Sequence, residues 1–493
     1  MKNKGSNLRW WILITVIVGT FLGRLDQTIV NLALPKIIND FGITVSSAGW
    51  ISTAYILANA IFVPIWGKLG DTLGRKKIYM LGFGLFIFGS VLAGLAWNLS
   101  SMIVFRVIQA IAGSADYPTA MAIITVTFRE GKERAQALGI WSSSFAAAAI
   151  FGPLIGGPLI DNFGWRSVFL VNFPIGILGL FMAMYFINES RSEQKTVHFD
   201  WWGAITLGGS LSALVLVLDK GSDWGWLSFD SILCYVIFLV FLKVLVMIEK
   251  VVDEPIIDIN FFKIPTFVNV LVNNFIVFMG MMGSIFLIPV FGQTFLGLNA
   301  TESGLLFMPM AFAMLLASPV GGALIGKVKA KYVIFASTIV ASFGIFLFSF
   351  LDAKSTAIDV MIPLSIMAFG LGFGMAQRTN IIASIVNPHE IGVASSILAL
   401  VRNIAGAFGI AIFSTILSNR IETNVLSING HSFINSLNTI NIQKYVALIE
   451  LKAQVNAYNY VFLVSSIVVF LGSFTILFLN LKHEKTNVKV TVE

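Results

Sequence analysis

The sequence predicts an all-α polytopic membrane protein. Three observations carry that prediction: a composition that needs lipid as its solvent, apolar runs of membrane-spanning length from end to end, and a one-sided distribution of basic residues. Of 493 residues, 57% are hydrophobic and 12% charged, against roughly 25% charged in an ordinary soluble chain. The 43 Phe and 43 Gly combine bulky lipid-facing side chains with small ones that let helices approach closely. Cys234 is the single cysteine, so no internal disulfide and no thiolate metal cluster is expected. Four scattered His residues supply no metal site either. The net charge of +7 comes from short basic loops rather than a basic soluble domain, so no nucleic-acid partner is expected. The basic start, Met1 to Trp11, has no small-residue cleavage site after a short apolar core and reads as a retained cytoplasmic end.

Apolar runs near the length needed to cross a ~30 Å hydrocarbon core fall at 10–34, 46–67, 78–97, 101–125, 136–160, 166–187, 201–219 and 229–248. After a more polar stretch come 266–291, 303–326, 332–350, 359–380, 392–417 and 457–481, which makes fourteen. Barrel strands are half as long and alternate in polarity, so the runs are helices. With the N-terminus inside, twenty Lys and Arg fall in cytoplasmic segments, seven in outer segments and five within spans. The positive-inside rule therefore puts both termini in the cytoplasm. Gly67 to Lys77 after span two has a degenerate echo, Gly322 to Lys331, after span ten. That repeat implies two six-helix bundles, 1–190 and 256–493, with an inserted helix pair at 191–255. Residues 418–456 read as a long outer loop, either an external cap or unstructured.

Gly67, Gly70 and Gly74 make a tight turn with Asp71 and the basic run from Arg75 to Lys77. The acid suits a helix N-terminus and the bases suit an anionic leaflet. This loop matches the signature loop of the major facilitator superfamily. Three further runs resemble its fourteen-span drug–proton antiporters: Leu25 to Pro35 in span one, Arg106 to Gly113 in span four and Gly152 to Leu159 in span five. Trp165 to Gly176 is similar to the start of that family's sixth span. The resemblance implies a major facilitator fold, a switch loop at Gly67, Gly70, Asp71, Gly74 and Arg75, and an antiporter motif at Gly152, Pro153, Gly156 and Gly157. Independently of any family, Gly and Pro survive inside a span only where packing compensates. These glycines make either a static packing groove or a bend that helps seal one side of a pathway.

Ionisable groups at bilayer depth are costly unless paired or hydrated, so each is a functional candidate. Span one carries Arg24 and Asp26, span four Arg106 and Asp116, and span thirteen Arg402. Lys243 and Arg378 lie nearer helix ends, where Lys243 can snorkel. Arg106, Gln109, Gly113, Asp116, Tyr117 and Ala120 share an arc of about 100° on one helix. Two couples between spans one and four are expected, Asp26–Arg106 and Arg24–Asp116. Asp26 and Arg106 are the proton-coupling candidates, and a fixed structural ion pair is the alternative. Arg24, Asn31, Gln109, Asp116, Tyr117 and Arg402 are the candidate substrate-cavity residues. Basic residue 24 and acidic residue 116 depart from the family pattern.

The same residues exclude other functions. Gly321 to Lys327 spells a phosphate-loop pattern, but Val328 replaces the magnesium-binding hydroxyl and the run ends a span. No nucleophile–base set lines up for an enzyme, and no repeated filter for a channel. The expectation is a secondary active transporter, a multidrug efflux protein working by alternating access. It uses the proton gradient and no cofactor, acts as a monomer in the bacterial cytoplasmic membrane, and moves amphipathic small molecules. A dedicated exporter or flippase for an endogenous lipid, fatty acid or metabolite is the alternative.

Overall fold

The computed structural model describes residues 2–128, 132–190, 200–252, 257, 259–325, 327–385, 391–430 and 439–478. In chain order the helices are α1 (Lys2–Phe41), α2 (Val45–Leu73), α3 (Arg75–Gly94), α4 (Leu99–Gly113), α5 (Asp116–Thr127) and α6 (Lys132–Phe163). They continue as α7 (Ser167–Leu170), α8 (Asn172–Phe186), α9 (Trp201–Trp224), α10 (Phe229–Glu249), α11 (Pro265–Phe295) and α12 (Ala300–Leu305). The last are α13 (Met308–Gly322), α14 (Ala330–Leu347), α15 (Ala357–Ile385), α16 (Ile391–Gly430) and α17 (Thr439–Ser473). Among the described residues, twelve helical stretches are long and apolar enough to cross a membrane.

The other two expected spans fall outside those twelve for local reasons. Residues 101–125 divide into α4 and α5 at Ser114–Ala115. Pro118 has no N–H to donate to the Ser114 carbonyl, so one helical bond is missing where the break occurs. Residues 136–160 lie in α6, a 32-residue helix in which several side chains lie outside the described set. The expected outer loop at 418–456 requires a correction. α16 runs on to Gly430 and α17 starts at Thr439, so most of that segment extends the flanking helices. It contains no proline and few glycines, so nothing in it stops a helix before Gly430.

Helix ends follow their caps. Thr44 accepts a hydrogen bond from Ser47 N to start α2, and Asn98 forms a capping box with Ser101 at α4. The chain divides into two compact units, residues 1–256 with 298–307, and 257–297 with 308–493. In unit 1, α1 packs on α6 and α8, and α3 and α2 both pack on α4. Leu13, Val16, Tyr79, Ile124 and Trp141 form part of its core. The helix pair expected as an insertion, α9 and α10, belongs to this unit; Ile61 of α2 packs on Gly208 of α9. The exposed Leu233, Val236, Leu239 and Met247 of α10 present an apolar face suited to lipid. In unit 2, α11 packs on α16, and α14 and α13 pack on α15. Gly344 meets the Met367 backbone and Gly370 meets the Ala341 backbone, the small-residue contact that brings membrane helices close.

Candidate functional site

Two deeply buried charges lie in unit 1 where α1 meets α4. Asp26 is 0% exposed and Arg106 2%. Arg106 Nη1 donates to Asp26 Oδ2 at 2.6 Å and to Gln109 Oε1 at 2.8 Å. Gln109 Nε2 and Asn172 Nδ2 donate to Asp26 Oδ1 at 2.9 and 3.0 Å. Asn172 Nδ2 also reaches Ser90 Oγ, whose hydroxyl donates to the Phe169 carbonyl. The guanidinium lies 4.0 Å from the Tyr55 ring centre, a cation–π contact. Asp26 therefore accepts three N–H bonds from two helices, α4 and α8.

The second expected couple, Arg24 and Asp116, lies together as electrostatic neighbours. Arg24 Nη1 donates to Gln27 Oε1 at 3.3 Å and faces Asp116 as an electrostatic neighbour. Asp116 begins α5, beyond the break at Ser114–Ala115, so the polar arc expected along one continuous helix is split between two. Of the remaining cavity candidates, Asn31 accepts from Ser52 Oγ at 3.2 Å. Tyr117 is 40% exposed and packs on Trp141. Arg402 belongs to unit 2. Its Nε donates to Asn274 Oδ1 at 3.4 Å and its guanidinium lies over Phe278. Arg378, 1% exposed, donates to Asn273 Oδ1 and Thr338 Oγ1. No carboxylate pairs with Arg378 among the described residues.

Of the three glycines expected to make a tight turn, only Gly74 lies between helices; Gly67 and Gly70 fall inside α2, and the turn at Gly74 is built around a residue outside the motif. Gly74 has φ 118°, a conformation that disfavours any side chain, and a Cβ there meets the Glu189 carboxylate. Glu189 accepts from Lys76 N at 3.1 Å and Lys77 N at 3.3 Å, capping the start of α3. Arg75 N donates to the Ser190 carbonyl. Gly67 and Gly70 face Pro118 and Thr119 of α5. The Asp71 side chain lies outside the described residues.

On α6, which runs unbroken through Pro153 and Pro158, the four motif residues receive two partners. Gly152 and Gly156 take Thr28 and Ile29 of α1. Gly157 lies against the Thr301 backbone and Pro153 against Gly304, both of α12. Asp161, one turn on, accepts from Ala300 N at 3.1 Å, Thr301 N at 3.0 Å and Thr301 Oγ1 at 2.7 Å.

The model of the Major Facilitator Superfamily matches residues 16–410. This chain belongs to the major facilitator superfamily. It is 33% identical over 442 residues to the multidrug transporter protein MdtP of Bacillus subtilis (strain 168), covering 89% of this chain and 80% of that one. It is 30% identical over 417 residues to the riboflavin transporter RibZ of Clostridioides difficile (strain 630), covering 84% and 90%. Among solved structures, a bacterial homologue of the human lysosomal transporter Spinster, inward-facing and occupied, matches with TM-score 0.69 at 16% identity. That match covers 95% of this chain and 96% of the other. The fold is shared at that level. The chain is an integral multi-pass membrane protein and a transporter rather than an enzyme.

Within this superfamily member, three polar residues complete the site without having been singled out for a role. Asn172 lies in the Val171-Asn172-Phe173-Pro174 run, and an amide in so apolar a span was the available signal. Glu189 and Asp161 sit at helix ends, where an acid is unremarkable, and only the tertiary contacts reveal what they hold.

Proposed function

We propose that this chain is a fourteen-span, proton-coupled exporter of amphipathic small molecules, a multidrug efflux protein of the bacterial cytoplasmic membrane working by alternating access with both termini inside. The buried Asp26–Arg106 pair carries the proposal. An anion and a cation sealed in an apolar bundle are costly to maintain, and a transporter gains from them if protonation opens the pair while cargo is exchanged. Asp26 is the proton carrier, Arg106 its counter-charge, and Gln109 the amide that joins them. Inward proton movement supplies the work, roughly 2.3 kcal/mol per charge for each 100 mV. The glycine groove of α6 and the segment from Gly67 to Arg75 serve as packing surfaces that change partners during the cycle. The protein works as a monomer without a cofactor. Multidrug relatives at about a third identity support this choice of cargo.

A dedicated metabolite exporter is the second reading, favoured by the similarity to a riboflavin transporter. Inverted vesicles carrying a respiration-generated proton gradient separate the two. Collapse of the gradient by several unrelated amphiphiles supports multidrug export. Collapse by one endogenous metabolite class alone supports the second reading, and no response across a broad panel removes proton coupling from both.

A further inference from the structure

We propose that Arg378 anchors a buried site in unit 2 for the oxyanion head, a carboxylate or a phosphate, of an amphipathic molecule. The proposal adds a charge class to the cargo and rests on reading the chain as an exporter of amphiphiles. Every residue it invokes lies in unit 2.

Arg378 of α15 is 1% exposed, and a guanidinium keeps its charge inside a protein. One side of it is fixed. Nε and Nη2 donate to Asn273 Oδ1 of α11 at 3.0 and 2.9 Å, and Nη2 also donates to Thr338 Oγ1 of α14 at 2.9 Å. Both acceptors are themselves held. Asn273 Nδ2 donates to the Gly472 carbonyl of α17 at 3.0 Å, and Thr338 Oγ1 donates to the Ile334 carbonyl at 2.8 Å. The remaining nitrogen, Nη1, is buried with no hydrogen-bond partner. The partners of Arg378 are neutral oxygens, and among the described residues no carboxylate pairs with it. A buried cation without a counter-charge is costly to keep. Arg106 has its counter-charge within the chain, whereas that of Arg378 comes from a ligand.

The neighbours of Arg378 suit the same ligand. Asn274, next along α11, is 0% exposed, and its Nδ2 also has no hydrogen-bond partner. Arg402 of α16 links the two: its Nε donates to Asn274 Oδ1 at 3.4 Å, and its charge acts on Arg378. Gly374, one turn before Arg378, leaves one side of Nη1 clear of side chain, since a Cβ there comes within 2.6 Å of that nitrogen. Two like charges and two unserved N–H groups are the complement of an oxyanion, whose oxygens only accept. A fixed cation on the cargo is repelled by the same pair.

Equilibrium binding of radiolabelled laurate to the full chain in neutral detergent reads the site, with dodecanol, dodecylamine and a short-chain phosphatidylglycerol as competitors. Laurate should bind saturably and resist dodecanol and dodecylamine. Arg378→Gln should weaken binding by roughly tenfold or more, the loss expected for one hydrogen bond to a charged group. Asn274→Asp builds a counter-charge into the chain, and should abolish binding while the protein melts no lower than the parent. Displacement by phosphatidylglycerol supports the site with a lipid head as the oxyanion; indifference to it supports a carboxylate cargo. Displacement by dodecanol as effective as by unlabelled laurate overturns the proposal, as does parent-like binding in either variant or no saturable binding by the parent. Failure of the export reading shows separately, as absent amphiphile transport in vesicles whose protein still binds laurate through Arg378.

Discussion

Replacing Asp26 by Asn tests what the buried pair contributes to the N-terminal unit. The carboxylate accepts from Arg106, Gln109 and Asn172 at 2.6, 2.9 and 3.0 Å. An amide of the same shape has one accepting oxygen and one donating nitrogen. Whichever way it turns, an N–H faces another N–H and Arg106 loses its counter-charge at 2% exposure. Removing one partner of a buried pair costs about 3–5 kcal/mol. At about 2–4 °C per kcal/mol for a unit of this size, Tm falls by roughly 6–20 °C. The check is thermal unfolding of purified protein followed by tryptophan fluorescence, with a double-mutant cycle through Arg106→Gln. The cycle is expected to recover part of the loss, because the second substitution removes the stranded charge. A single variant melting within about 2 °C of the parent, below the shift expected from even 1 kcal/mol, refutes the reasoning.

Three other substitutions have defined outcomes. Gly157→Ala drives a methyl into the Thr301 backbone, whereas Gly406→Ala meets only the flexible Met282 side chain. The first should cost about 1–3 kcal/mol and the second clearly less, measured as paired Tm shifts; equal shifts contradict the groove. Asp161→Ala removes the acceptor of two α12 amides, so hydrogen exchange at Ala300 and Thr301 should quicken by roughly 2–30-fold, the equivalent of about 0.5–2 kcal/mol. Unchanged exchange there removes Asp161 from that role. Glu189→Ala strips the α3 cap and should speed exchange at Lys76 and Lys77 on the same scale, with exchange at the centre of α3 as the internal control.

The membrane class and most of the spans were legible because each rests on a local property, about twenty apolar residues between polar ends. Asp26 and Arg106 stood out for the same reason, as charges where lipid should forbid them, and the structure brings them together. The split of the fourth span was written in Pro118, two residues into α5, but the apolar average across 101–125 concealed it. The helices continuing through 418–430 and 439–456 were missed because their polar Asn and Ser content reads as a loop, though neither residue stops a helix. The roles of Asn172, Glu189 and Asp161 were not legible. Each depends on a partner that the chain brings near only after folding: Asp26 from 146 positions away, Lys76 from 113, and Ala300 from 139.

The central claim is that moving a proton through the Asp26–Arg106 pair drives cargo across the membrane. Reconstituted liposomes loaded with a fluorescent amphiphile, with a pH difference imposed across the bilayer, measure it most directly. Transport by the parent should rise with the pH difference and reverse when the difference is reversed, while Asp26→Asn loses that dependence and retains only downhill exchange. Transport by the parent that ignores the imposed pH difference, or transport by the Asp26→Asn variant that still follows it, contradicts the account.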